Sequence, residues 1–414
     1  MKFHWFHLMP WPYLPEDFPE RYRSVWVDIP PHLYDPVRGH DVYHTYLDQL
    51  KFAAECGFDG ICVNEHHQNG YGLMPSPNLM AATLARETSD AKIVVMGNSV
   101  ALYNPPTRVA EEMAMLDVLS GGRLVAGFPV GTSMDAAFAY GQNPATLREK
   151  YRESVNLILR AWTAEEAFAF NGKYTKLRYV NPWPRPMQKP HPPVWVPGGG
   201  SSIETWEWCA NHGFMYSNLS YFGYLRAIKS MKGFWETIER LGLEPNPSRA
   251  CFLQFVAVAD DDAHAERLYS EAADYFYHRC LHFPAAYREA PGYTSIASIR
   301  SALGSSMSAA MAAQDQRLGW KDFVERGYIV AGSPDTVVDR LNHMADEMRI
   351  GHLLVLCHFG NMPDEAVRYN TQRFAEDVIP RLRGRFDEWE DHWWPADPPA
   401  AVADRAARTG GQAG

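Results

Sequence analysis

The sequence predicts an α/β fold: a single (β/α)8 TIM barrel with long insertions after strands 1, 4 and 7. Three observations point to it. Short apolar, β-branched runs alternate with longer amphipathic stretches, the pattern of parallel strands joined by helical crossovers. The strand-like runs number eight, which suits a closed barrel better than an open doubly wound sheet. The length of 414 residues, with 46% hydrophobic and 21% charged side chains, fits one large α/β domain with insertions or two medium ones.

The expected strands are 2–8 (KFHWFHL), 59–63 (DGICV), 92–97 (KIVVMG), 123–127 (RLVAG), 193–196 (PVWV), 213–216 (GFMY), 251–258 (CFLQFVAV) and 352–356 (HLLVL). Helical patterns fall at 41–56, 77–88, 106–119, 145–160, 201–211, 221–241, 261–280, 333–348 and 363–382. Local signals support some of these boundaries. Ser333-Pro334-Asp335 offers a cap, a proline at the first helical position and an acid in the first turn. Asp260-Asp261-Asp262 does the same before the 261–280 helix, and capping explains these acids better than metal binding does.

Three segments interrupt the alternation: 10–40, rich in proline and aromatics; 161–192, with a hairpin expected at Asn171-Gly172; and 282–328. Insertions of this length in a compact domain are usually lids or coverings. The barrel domain is expected to span 1–395, with 396–414, which lacks large apolar residues, as a flexible tail.

The net charge of −10 and the absence of a basic run argue against a general nucleic-acid binder. No stretch of 18 apolar residues is present, and MKFHWFHLMPWPYLP lacks a signal-peptide core, so a soluble, cytoplasmic protein is expected. Cys56, Cys62, Cys209, Cys251, Cys280 and Cys357 form no CxxC pair and are expected to be reduced and buried, with no structural zinc.

Several motifs fall where a barrel keeps its active site, at the C-terminal ends of the strands. Asn64-Glu65-His66-His67 follows the second strand. Side chains alternate on an extended chain, so at most one of the two histidines faces a central pocket while the other packs sideways. The alternative is a structural pair satisfied by backbone carbonyls. Gly198-Gly199-Gly200-Ser201-Ser202 leads from a strand into a helix and presents N–H groups, hydroxyls and a positive dipole end to a phosphate. Ile203 stands where a dinucleotide fingerprint needs its third glycine, so the phosphate is expected to be that of a mononucleotide. Gly97-Asn98-Ser99 and Gly127–Gly131 supply further rim loops. His278 and His282 show i, i+4 spacing but have no partner motif, and a structural role is expected.

The motifs GFDGICVNEHH (57–67), AxxxxPxxxAEExAxLDxLSGGR (101–123), RPMQKPHPPVWV (185–196) and AGSPDTVVDRL (331–341) are collinear with a known family. The chain resembles the bacterial luciferase-like flavin-dependent monooxygenases, which are (β/α)8 barrels. The resemblance implies that His66 is the catalytic histidine near the flavin. It implies that Gly97 and Asn98 lie against the isoalloxazine ring, often through a strained non-proline peptide bond. It also implies that Gly199, Gly200, Ser201, Ser202 and Thr205 hold the phosphate of FMN. One departure stands out: where the luciferase α chain carries a phosphate-binding arginine, this chain has Val130. The phosphate then relies on helix N–H groups and hydroxyls, or on a base from elsewhere, and a deazaflavin becomes a possible cofactor.

The resemblance further implies a two-component scheme. A separate NAD(P)H-dependent flavin reductase supplies reduced FMN, which reacts with O2 while the long loops exclude water, and a small organic substrate is oxygenated. A homodimer is expected. The competing readings are a deazaflavin-dependent oxidoreductase on the same barrel and a non-catalytic flavin-binding subunit. Trp11, Tyr13, Phe18, Tyr22 and Trp26 in the 10–40 segment suggest an apolar or aromatic substrate, unless they pack that segment onto the barrel.

Overall fold

The structure, a computed structural model, describes residues 1–199, 203–294, 296, 317–397 and 402. Eight parallel strands close into a barrel in the order β1 (Lys2–Phe6), β2 (Gly60–Val63), β3 (Lys92–Val95), β4 (Leu124–Gly127), β7 (Val194–Gly198), β8 (Met215–Asn218), β9 (Ala250–Val258) and β11 (His352–Leu356), which returns to β1. These are the eight runs expected from the sequence, with ends shifted by up to two residues. Between them, β5 (Phe168–Asn171) and β6 (Lys176–Val180) form the antiparallel hairpin expected at Asn171-Gly172. A short parallel strand, β10 (Ile329–Gly332), pairs with the C-terminal half of β9 and was not expected. Its four residues are too few to stand out beside a long insertion.

The barrel strands are apolar along almost their whole length because helices cover one face and the barrel interior the other. Within β1, alternation separates the two environments. Trp5 faces outward and its indole N–H donates to Thr371 Oγ1 (3.0 Å), whereas the His4 ring lies 5.3 Å from the Trp195 ring. Since β1 and β7 stand four strands apart, that contact can form only across the interior.

The helix after β1 starts at Pro36, five residues before the expected start, because the Asp35 side chain accepts hydrogen bonds from the Val37 and Arg38 amides. The Ser333 and Asp261 caps form as expected, on the amides of Thr336 and His264. The 261–280 and 363–382 helices each pass into a π-helical turn, at Phe276–Cys280 and Phe374–Val378.

The segment 10–34 is folded against the loop after β2. The Trp11 amide donates to Gly70 O and the Gly70 amide to Val25 O, both at 2.9 Å. Trp11, Phe18 and Trp26 are buried, so much of the aromatic content of this insertion packs it onto the barrel. The third insertion enters over the loop after β4: the Ala290 amide donates to Ser133 Oγ (3.1 Å) and Tyr293 Oη to Gly131 O (2.5 Å). Residues 295 and 297–316 of that insertion, and most of the 396–414 tail, lie outside the described residues.

A second closure was not legible beforehand. Residues 383–394 run beneath the N-terminal end of the barrel. Trp195 Nε1 donates to Trp393 O (3.0 Å), Trp393 Nε1 donates to Gly213 O (2.9 Å), and the Trp394 ring lies 4.7 Å from the His4 ring. Lys2 and His352 both reach Asp391 Oδ2, at 2.6 and 3.1 Å. Burial alone would raise the Asp391 carboxyl, but His352 and then Lys2 hold its pKa well below the ordinary value. Replacing Trp393 by alanine is expected to lower stability by about 3–5 kcal/mol with little change in the urea m-value. An unchanged unfolding midpoint would show that this segment only lies against the barrel.

Candidate active site

The histidine pair follows the end of β2, and its two rings part. His66 Nδ1 lies 2.9 Å from Asp135 Oδ2. His67 Nε2 lies 3.0 Å from Glu65 Oε1, and its Nδ1 lies 3.3 Å from the Tyr140 hydroxyl. This is the divergence expected from alternation. Among the described residues neither ring uses a backbone carbonyl, as a purely structural pair would.

Asp135 sits on the π-helical turn Met134–Ala139 that follows β4. It is 1% exposed, and four donors converge on its carboxylate. Oδ1 accepts from Trp26 Nε1 (3.0 Å) and the His67 amide (2.8 Å), while Oδ2 accepts from Thr132 Oγ1 (2.8 Å) and His66 Nδ1. Burial by itself would raise the carboxyl pKa. The hydrogen bond and charge of His66, then the His67 amide and the Thr132 hydroxyl, outweigh burial and lower it. An ionised Asp135 requires the proton on His66 Nδ1, which leaves Nε2 to accept or donate a proton. Nε2 is not hydrogen-bonded among the described residues, and the His66 side chain keeps 14% of its exposure. The ring stands edge-on to Trp26 (5.1 Å) and Tyr71 (5.0 Å), which stack on each other at 4.7 Å. Tyr71 is tied through its hydroxyl to that of Tyr221.

Glu65 organises the adjacent sector. Its Oε2 accepts from Tyr103 Oη (2.8 Å) and Asn98 Nδ2 (3.1 Å). Burial, and next the Glu65 carboxylate, raise the Tyr103 pKa, so this hydroxyl keeps its proton and remains the donor. Asn98 is fully buried, and its Oδ1 has no partner among the described residues. Its backbone N–H donates to Gly127 O (3.0 Å).

Gly97 follows the cis peptide Met96–Gly97. A Cβ on Gly97 would fall 1.9 Å from Gly127 O, and one on Gly127 would fall 2.2 Å from Val95 O. The ends of β3 and β4 therefore approach closely enough to require glycine at both positions. At the end of β7, a Cβ on Gly199 would lie 3.2 Å from Leu219 O. Thr205 lies in the helix Ile203–Asn211, and its side chain is not free. Gly200, Ser201 and Ser202 lie outside the described residues.

The structure therefore brings His66, Gly97 and Asn98 to the rim formed by β2, β3 and β4, and places Gly199 just past the end of β7, the strand next to β4, with Thr205 in the helix that follows it. Sequence reasoning missed Asp135, whose only local signal is a single acid in the run SMDAAFA (133–139). His278 and His282 bond the carbonyls of Leu318 and Tyr22, as a structural role requires. Among the described residues no three His, Cys, Asp or Glu side chains group as metal ligands. The six thiols are free, and burial pushes that of Cys56 up to about 11.

Comparison with known proteins adds an independent line. The sequence model of the luciferase-like monooxygenases matches residues 24–349. The chain is 22% identical to 2,5-diketocamphane 1,2-monooxygenase 1 of Pseudomonas putida, over 81% of this chain and 93% of that one. It is 25% identical to the F420-dependent glucose-6-phosphate dehydrogenase of Amycolatopsis mediterranei, over 80% and 92%. A shorter match, 29% identical over 37% of this chain and 43% of the other, is to the oxygenase component of flavin-dependent trigonelline monooxygenase from Acinetobacter baylyi. Two solved structures share the fold at 20% identity, each over 92% of this chain. They are monooxygenase RslO1 of Streptomyces bottropensis (TM-score 0.68, all of that chain) and the oxygenating constituent of 3,6-diketocamphane monooxygenase from Pseudomonas putida in complex with FMN (TM-score 0.65, 98%).

Asp135→Asn should cost about 2–4 kcal/mol near neutral pH, because an amide cannot accept from all four donors. The folded-state pKa of Asp135 lies below its unfolded value of about 3.9, so its contribution is complete above that value and is lost as pH falls below it. Urea unfolding of both proteins should therefore show a gap at pH 7 that narrows towards pH 3. A gap independent of pH would show that the carboxylate charge is not the stabilising feature.

Proposed function

Because the chain belongs to the luciferase-like monooxygenase family, we propose that it is an FMN-dependent monooxygenase that oxygenates a small organic substrate with O2. Reduced FMN would come from a separate NAD(P)H-dependent flavin reductase. The observation that carries this reading is the His66–Asp135 pair at the barrel rim, with Nε2 free of a hydrogen bond among the described residues. A non-catalytic subunit would have no use for a histidine held in one tautomer by a buried carboxylate. The oxygenase component named among the relatives supports the separate reductase.

The residues present fit a flavin. The glycines at 97 and 127 bring two strand ends together without side chains between them, and Asn98 Oδ1 is a buried acceptor still lacking a donor. The ends of β3 and β4 would receive the ring system, and Gly199 and Thr205 would lie towards its phosphate. When bound, the reduced flavin supplies the electrons and the oxygen chemistry. His66 Nε2 gives or takes the proton at the reacting oxygen, and Asp135 holds the ring in position for it. Trp26 and Tyr71 wall this position with apolar surface and limit water.

A homodimer belongs to the same reading. Leu79 on the helix Pro77–Glu87, with Met115, Val118 and Leu119 on the helix Thr107–Ser120, are exposed large apolar side chains on two packed helices. Such a surface suits a second copy. Among the described residues no helix is long and apolar enough to cross a membrane.

Reduced FMN, O2 and a panel of small apolar substrates, regenerated by a generic flavin reductase with NADH, should give a product heavier by one oxygen atom. Turnover with a reduced deazaflavin in its place, and none with FMN, would overturn the reading in favour of the chemistry named for the F420-dependent relative. His66→Ala should keep flavin binding and lose about 100- to 10,000-fold in turnover. His67→Ala should lose stability first and rate less, since His67 serves Glu65. Equal effects of the two substitutions on rate would remove His66 from its catalytic role.

A further inference from the structure

A cavity of about 380 Å³ lies between the first insertion and the loop after β2, and His66, Asp135, Trp26 and Tyr71 are not among its lining residues. Its walls include Val27, Ile29, Leu33 and Leu73, with the rings of Trp11 and Tyr34. The volume falls at the lower end of the range for small-molecule sites, about 300–1,000 Å³. No acidic or basic side chain lines it, so a charged ligand would find no counter-ion there.

One donor in this wall is unused. Trp11 is 2% exposed, and its indole N–H has no hydrogen-bond partner among the described residues. The residue itself is held in place. Its backbone amide donates to Gly70 O (2.9 Å), its carbonyl accepts from Tyr275 Oη (2.7 Å), and its ring packs against those of Tyr13 and Tyr34, at 5.1 and 4.8 Å. A buried N–H fixed in this way is normally matched by an acceptor. The lining has two side-chain amides, Gln68 and Asn69. Asn69 is engaged at both ends, donating to His67 O (2.9 Å) and accepting from the Gly72 amide (2.6 Å). Gln68 is exposed, which leaves the Trp11 indole as the buried donor still open.

The backbone around the cavity is strained. Val27 (φ 45°) and Gln68 (φ 51°), one from each of the two segments that form it, both lie in the left-handed region. A β-branched residue such as Val27 seldom enters that region. Such conformations persist where their surroundings over-determine them, and they gather at ligand sites. Val27 follows Trp26 in the chain and Gly70, also in the lining, precedes Tyr71. Trp26 and Tyr71 are the two rings that bound His66, so a molecule in the cavity would touch the segments that carry this wall without touching His66.

We propose that this cavity is a second small-molecule site, which takes an uncharged, apolar ring molecule carrying one hydrogen-bond acceptor such as a carbonyl oxygen. The apolar walls supply most of the attraction, and the Trp11 indole N–H sets the orientation by donating to the acceptor. None of the residues assigned above to the flavin lines the cavity, so its occupant binds whether or not a flavin is present. The proposal therefore stands apart from the flavin reading.

The test uses α-tetralone, a bicyclic ketone, and tetralin, the same ring system without the oxygen. Each is titrated by NMR into the whole protein, isotopically labelled at its tryptophan indole nitrogens. The Trp11 indole resonance, identified by its loss in Trp11→Phe, should shift with either probe. The ketone should bind about 2- to 10-fold more tightly than the hydrocarbon. In Trp11→Phe the two probes should bind equally, read by saturation transfer to their own protons. Leu33→Trp should fill the cavity and abolish binding of both, and it carries the test if the phenylalanine variant does not fold. A Trp11 resonance unmoved by both probes, or equal affinity of the two for the unsubstituted protein, would overturn the proposal. So would a shift that survives Leu33→Trp, or movement of the Trp26 resonance alone, which would place the probes beside His66.

Discussion

The rim of this barrel depends on one buried carboxylate. Asp135 accepts from an indole in the first insertion, from a side chain and an amide in the loop after β2, and from a hydroxyl in the loop after β4. Four donors on two oxygens make the charge tolerable at 1% exposure, and in return the charge fixes three loops relative to one another. Precision at His66 follows from this arrangement. The ring is held at one nitrogen by a group that is itself immobile, and its faces are bounded by Trp26 and Tyr71. A loop-borne histidine without such support would sample several orientations.

The Glu65 cluster is a second buried network, side by side with the first. The two share a stretch of three residues: His66 belongs to one, while Glu65 and His67 belong to the other through their side chains. Yet the His67 amide donates to Asp135, so the backbone joins the networks where the side chains diverge. This explains how two adjacent histidines can have different duties.

The fold was legible because a parallel strand covered on both faces must be apolar along its length, and eight such runs could be counted. Caps at Ser333 and Asp261 were legible for a similar reason, since a cap involves residues only three apart. The Asp35 cap carried the same signal, but the proline-rich segment before it obscured where the helix began. β10 was hidden by its brevity. Asp135 could not be read at all: three of its four donors lie 68, 69 and 109 residues away, and the nearby Thr132 hydroxyl does not distinguish it from a surface acid. The glycines at 97 and 199 were noticed for their rim position, and the contacts their missing side chains permit emerged only in three dimensions.

The floor of the barrel has a consequence for how the molecule is made. The Met1 ammonium donates to the carbonyls of Arg383 and Arg385, at 2.7 and 2.5 Å, and Asp391 and Trp394 sit against Lys2 and His4. The strand β1 is thus completed by residues 382 to 389 positions later in the sequence. Until they emerge, β1 lacks both its β11 neighbour and the plug beneath it. Synthesis at about 5–20 residues per second leaves that interval at tens of seconds, during which β1 can pair with β2 but keeps its other edge open. A nascent chain of this design is a natural client for a chaperone until residues 383–394 have emerged.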